Sequence, residues 1–138
     1  FRATLEELED ADLLLHVVDV AHRNAVEHVI TVNETLESLG LGEKPTLLVL
    51  NKVDALRRED GGPVETLDEG LARLHELGVA VEQGIPVSAL RGWNIDRLLL
   101  RTERGLDGDA PPARLTALAL ARDRLAPAGR VEAIAAMP

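Results

Sequence analysis

The sequence has no cysteine and no tyrosine, and its only aromatic residues are Phe1 and Trp93. Without cysteine there is no disulfide framework and no thiolate metal site, a composition that suits a cytoplasmic location. With so few aromatics, stacking platforms for single-stranded nucleic acid are excluded, and the core has to be built from Leu, Val, Ile and Ala. No apolar stretch is long enough to cross a bilayer and no signal-peptide pattern opens the chain, so no membrane partner is expected. Cations are also scarce: Lys and Arg number 15 against 24 Asp and Glu, a net charge of -9. That balance argues against direct or sequence-specific nucleic-acid binding. Lys44 and Lys52 are the only lysines, preceded by Glu43 and Asn51. No Gly-Lys pair exists, so these residues contain no G-x-x-x-x-G-K-[ST] loop to cradle phosphates.

What is present is globular. At 138 residues, 46% hydrophobic and 28% charged, the chain can bury a sizeable core and is expected to form one main domain. The opening residue is Phe1, which reads as a piece of a longer protein. Leu13–Asp19 and Thr46–Leu50 are continuous apolar runs, as expected for parallel strands covered on both faces. A shorter strand is expected at Ile85–Val87. Helical spacing is found over Phe1–Asp10, Asn24–Leu39, Val64–Leu77 and Asn94–Arg104. Strands alternating with helices predict an α/β fold of three layers, a parallel sheet with flanking helices. From Gly105 the composition changes. Asp107–Pro112 reads as a linker, Leu115–Leu125 as an Ala-rich helix, and Arg130–Ala135 as a last possible strand.

Two short motifs carry chemistry. Asn51-Lys52-Val53-Asp54 follows the second apolar run directly. A carboxylate at Asp54 can accept both donors that guanine presents side by side, the ring N–H and the exocyclic amine. Adenine lacks that pair and would leave the carboxylate unpaired, which makes discrimination steep. Downstream, Pro86-Val87-Ser88-Ala89-Leu90 is a second strand end, with a Ser-Ala turn whose backbone N–H can meet the guanine carbonyl oxygen. Both motifs fall at the carboxyl ends of strands, where open α/β sheets bind ligands.

At this point the chain resembles the HflX-type translational GTPases, within the TRAFAC class of G domains. The resemblance is carried by Phe1-Arg-Ala-Thr-Leu-Glu-Glu7, Ala11–Asp19, Pro45–Asp54 and Pro86–Leu90, and covers about residues 1–104. It implies the C-terminal half of a G domain, a partial P-loop NTPase fold lacking the first strands, with 105–138 as linker, helix and tail. Asn51, Lys52 and Asp54 would then be the base-specificity motif. Asp54 would pair with the base, Asn51 would tie two loops together, and the stem of Lys52 would lie along the base plane. Ser88, Ala89 and Leu90 would form the supporting turn. The implied ligands are GTP and GDP, weakly held by these residues alone, with Mg²⁺ only in the complete family domain and the large ribosomal subunit as partner. No residue here is assigned a catalytic or metal-binding role, because phosphoryl transfer is almost all positioning and charge stabilisation by loops without counterpart in the sequence.

Several smaller expectations follow. Asp19 ends the first strand and either faces a ligand or caps the following helix. His16, His22, His28 and His75 make no metal-ligand pattern and read as solvated or hydrogen-bonded side chains. Trp93 reads as a loop anchor. Asn94 stands where many relatives carry Gly, and a positive φ there would be tolerated by Asn. With no first strand beside it, Leu13–Asp19 is expected to expose an unpaired edge. The alternative to a nucleotide-binding fragment is a non-enzymatic interaction module, or a decayed remnant, that keeps the fold without the ligand.

Overall fold

The computed structural model describes residues 5–79, 84–116 and 131–135. Helix α1 (Leu5–Asp10) leads into strand β1 (Leu13–Asp19), helix α2 (Ala25–Ser38) and strand β2 (Thr46–Asn51). A short 3-10 turn, Val53–Ala55, precedes helix α3 (Leu67–Glu76), strand β3 (Ile85–Pro86) and helix α4 (Ile95–Leu106), and a second, Ala113–Leu115, precedes strand β4 (Val131–Ala135). The strands form one sheet in the order β3-β2-β1-β4, and every pairing is parallel. The expected Leu115–Leu125 helix falls mostly on residues outside those described.

Alternation along the strands decides what packs where. Leu13, Leu15, Leu47, Val49 and Ile85 gather on one face with Leu98 of α4. On the other face Leu14 meets Leu8 of α1 and Leu36 of α2, while Val18, Leu48 and Leu50 meet Val29 of α2. Both faces are therefore covered, and the helix–sheet–helix layering agrees with the apolar runs. Helix α4 lies close on the sheet at Gly105, where an added Cβ would come within 3.0 Å of the Leu13 side chain.

Helix α3 starts later than the apolar stripe suggests. Thr66 is its N-cap, its hydroxyl accepting the Glu69 N–H at 3.2 Å, and that cap holds Val64 outside the helix. Val64 is buried all the same, with Val53, Leu56 and Leu74.

Two expectations need correction. The edge of β1 is not open: β4 pairs with it in register from Leu13↔Val131 to Val17↔Ala135. The backbone groups that were to make this strand a template for other chains are satisfied by the chain's own C-terminal segment. His16 is neither solvated nor hydrogen-bonded. It is fully buried in the middle of β1, and among the described residues neither ring nitrogen has a partner. An unpartnered imidazole in an apolar setting resists taking a proton, and burial lowers its pKa to about 4.

The stretch read as a linker is fastened to the sheet's amino end. Thr46 N–H donates to the Pro111 carbonyl at 2.9 Å, Ala113 N–H to Lys44 at 2.9 Å and Arg114 N–H to Gly42 at 2.8 Å. Ala113 joins the core cluster around Leu8 and Leu36.

Candidate functional site

The parallel sheet brings the carboxyl ends of β1, β2 and β3 to one rim, with Asp19 opposite Asn51 in the register. The backbone turns sharply after Asn51 because Lys52 adopts a left-handed conformation, φ 70 and ψ 34. That geometry is costly for a residue with a Cβ. Its neighbours hold it in place: Val53 is completely buried, its N–H reaches the Val87 carbonyl at 3.2 Å, and the Lys52 carbonyl accepts from Ala55 at 2.9 Å. Gly70 of α3 lets the turn sit this deep, since a Cβ there would stand 3.3 Å from the Val53 Cβ.

The second loop is pinned separately. Ser88 and Trp93 exchange two backbone hydrogen bonds, at 3.1 and 3.0 Å, and the Ser88 hydroxyl accepts the Arg91 N–H at 3.0 Å. Trp93 packs against the cluster of Val53, Leu56 and Val64 beneath the first turn, and the Arg91 guanidinium lies 5.5 Å from its ring centroid. It is a loop anchor. Asn94 does adopt the left-handed region, with φ 63, and its amide donates to the Pro86 carbonyl at 2.9 Å.

Besides the Val53–Val87 backbone bond, the two loops meet through the Ala89 N–H, which donates to Asn51 Oδ1 at 3.0 Å. Asn51 thus ties the loops as the sequence implies, but it does so with the N–H that was to meet the guanine carbonyl oxygen. Lys52 donates to Asp19 Oδ2 at 3.3 Å. Asp54 is half-buried, and its carboxylate makes no hydrogen bond or ion pair among the described residues. Leu90 is 85% exposed, and Ser88 is buried behind the turn. So Asn51 and Ala89 are brought together, Asp54 is left open beside them, and Ser88 supports from below. A groove of about 380 Å³ lined by Val18, Val20, Leu50, Leu56 and Val79 shares none of these residues.

Sequence reasoning left Asp19 undecided and did not single out Gly70. Asp19 does not cap a helix, since the N-cap of α2 is Asn24. One carboxylate oxygen accepts the Ala21 N–H at 3.0 Å and the other faces Lys52. Gly70 had no signal in the sequence, because a lone glycine in a helix is not unusual.

A three-layer parallel α/β sheet, with a left-handed N-K-x-D turn tied to a Ser-Ala turn at its carboxyl rim, is part of a P-loop NTPase-type G domain. No family model and no solved structure matches the chain. Curated proteins do. The chain is 38% identical over 110 residues to the GTPase HflX of Hyperthermus butylicus, covering 78% of this chain and 29% of that one. With the GTPase HflX of Caldanaerobacter subterraneus the identity is 37% over 106 residues, 77% of this chain and 21% of the relative. With that of Escherichia coli it is 48% over 69 residues, 50% and 16%. The chain is therefore an HflX-type sequence carrying part of a TRAFAC-class G domain. It spans less than a third of the length of these relatives.

Proposed function

We propose that this chain is the guanine-reading part of an HflX-like, ribosome-associated GTP-binding protein. The observation that carries the reading is Asp54: a half-buried carboxylate without a partner among the described residues, just after β2 and next to the Asn51–Ala89 tie. A buried-edge acceptor left unpaired by its own protein suits a ligand that brings two adjacent donors, and guanine does. Asn51 ties the loops through the Ala89 N–H until guanine arrives; Ala89 then gives that N–H to the base carbonyl, while the Val53–Val87 backbone bond keeps the loops together. Lys52 lays its stem against the base, and Ser88 and Leu90 shape the turn.

GTP and GDP are the ligands in this reading. Mg²⁺ and the phosphates belong to the complete family domain, since no Gly-Lys pair occurs in these residues, and no residue of the chain is given a catalytic role. The large ribosomal subunit is the partner, and the cytoplasm the location, that the family resemblance implies. Residues 1–104 are the G-domain part in this reading; of 105–138, Pro111, Ala113 and Arg114 fasten to the amino end of its sheet and Val131–Ala135 adds a strand beside β1.

The test is a titration of the isotope-labelled chain with GDP, XDP and ADP, read by amide chemical shifts. Without a phosphate grip, GDP should bind with a dissociation constant of about 1 mM, and ADP more weakly. Asp54→Asn should lose about 1–3 kcal/mol toward GDP and gain toward XDP, whose extra carbonyl meets an amide N–H. Unchanged GDP affinity in the variant removes Asp54 from the site. No response to GDP at Asn51, Asp54 and Ala89 leaves the interaction-module reading in its place.

A further inference from the structure

We infer that Asp19 is a positioning residue for the guanine site, holding Lys52 across the sheet rim before the nucleotide arrives. The inference rests on the guanine reading above and names a residue outside the two base motifs. Asp19 is the last residue of β1 and stands opposite Asn51 in the parallel register. Its carboxylate is itself fixed: Oδ1 accepts the Ala21 N–H at 3.0 Å, and its backbone carbonyl accepts from His22 at 3.1 Å. Oδ2 is then free to face β2, where it meets Lys52 Nζ at 3.3 Å. The left-handed backbone at Lys52 sends that side chain from the end of β2 toward the end of β1.

Stability does not account for the pair. The two side chains are 58% and 35% exposed, and ion pairs so open to solvent contribute little to folding. What the pair supplies is direction. A lysine stem with four rotatable bonds has much rotamer freedom to lose on binding, and a partner that removes that freedom in advance lowers the cost of closing the site on a ligand. The same geometry has an opposite reading, in which Asp19 holds Lys52 away from the ligand and competes with it. The two differ in sign. Positioning is favoured because the Asp19 carboxylate is anchored by its own loop at Ala21, as a fixed guide requires.

The experiment is a GDP titration of the full chain carrying Asp19→Asn, followed by amide shifts, with thermal unfolding in parallel. Asparagine keeps an oxygen for the Ala21 N–H and loses only the charge facing Lys52. The GDP dissociation constant should rise about threefold to tenfold, with the melting temperature held. Lys52→Met removes the pair from its other side and should weaken GDP at least as much. In that background Asp19→Asn should have no further effect, whereas a residue supporting the fold by another route would still register. Unchanged or tighter GDP binding in Asp19→Asn overturns the inference, as does a loss that persists without Lys52. If the unmodified chain does not distinguish GDP from ADP and Asp54→Asn changes nothing, the guanine reading falls and the inference with it. A selective chain that is indifferent to Asp19→Asn sinks the inference alone.

Discussion

The chain's two lysines bracket one strand, and their surroundings differ. Lys44, just before β2, donates to the carbonyls of Glu9 at 2.7 Å and Ala11 at 2.9 Å, closing the end of α1. Around it, backbone groups of Gly42, Lys44, Pro45, Pro111 and Ala113 are engaged with one another or with strand residues, and the Arg114 and Glu43 side chains pair. Lys52, just after β2, has a left-handed backbone, an exposed partner in Asp19, and an unpartnered carboxylate two residues away at Asp54. At the amino rim the protein satisfies its own polar groups. At the carboxyl rim it keeps strain and leaves an acceptor open. A fold that violates local rules at one end of a sheet only is reserving that end for something else.

His16 lies midway between the two rims and tests whether the middle of the sheet is sealed. Its folded pKa of about 4 lies below the 6.5 of an unfolded chain. Between those values the unfolded state binds the extra proton, so the stability present above pH 6.5 is lost as the pH falls toward 4. The loss should be about 3 kcal/mol. In His16→Leu it should disappear, so the variant's advantage over the unmodified chain in urea unfolding should grow by that amount between pH 7 and pH 4. A constant difference across this range would mean that water or a proton acceptor reaches the imidazole, and that the strand centre is not dry.

Asn33 tests the amino rim. Its side chain is buried on α2, donates to the Arg114 carbonyl at 3.4 Å and accepts from the buried Thr116 hydroxyl at 3.2 Å. Asn33→Ala removes both contacts, but the Thr116 hydroxyl keeps the Ala113 carbonyl at 2.8 Å, so the loss of stability should be about 1 kcal/mol. GDP binding by the folded fraction should not change, because every contact involved is at the far end of the strands. If the variant shifts nucleotide affinity, the two rims are coupled and the comparison between them breaks.

The layers and the base motifs could be read from the sequence because both are local. Apolar runs without alternation at Leu13–Asp19 and Thr46–Leu50 mark strands buried on both faces, and the N-K-V-D turn needs only four residues to announce itself. Trp93 and Asn94 were legible for a related reason, since a lone aromatic in a glycine loop and an Asn at a left-handed position each have few physical explanations. What stayed hidden depends on register. Nothing in Arg130–Ala135 says that it pairs with β1, 118 positions earlier at Leu14↔Glu132. His16 reads as polar in isolation and is buried because it shares the sheet face of Leu14 and Val18, which α1 and α2 cover. Nor does the spacing between Asp19 and Lys52 suggest an ion pair until β1 and β2 are set side by side.

The smallest expected effect is also the one that separates strain from stability most directly. Lys52 carries a Cβ at φ 70, a conformation that disfavours an ordinary L-residue by about 1–2 kcal/mol. Glycine adopts it freely but gives the unfolded chain more freedom, which offsets about 0.4–1 kcal/mol of the relief. The exposed pair with Asp19 that is lost with the side chain subtracts little. Lys52→Gly should therefore stabilise the chain slightly, by about 0.5 kcal/mol, while GDP binds more weakly than to the unmodified chain. Most substitutions that remove a side chain and its ion pair do the reverse. A strained lysine kept where glycine would fold better is kept for its ammonium and stem, so the two readouts must move in opposite directions. If Lys52→Gly destabilises the chain in urea unfolding, the turn is held by the side chain itself, and the strain at the carboxyl rim is structural.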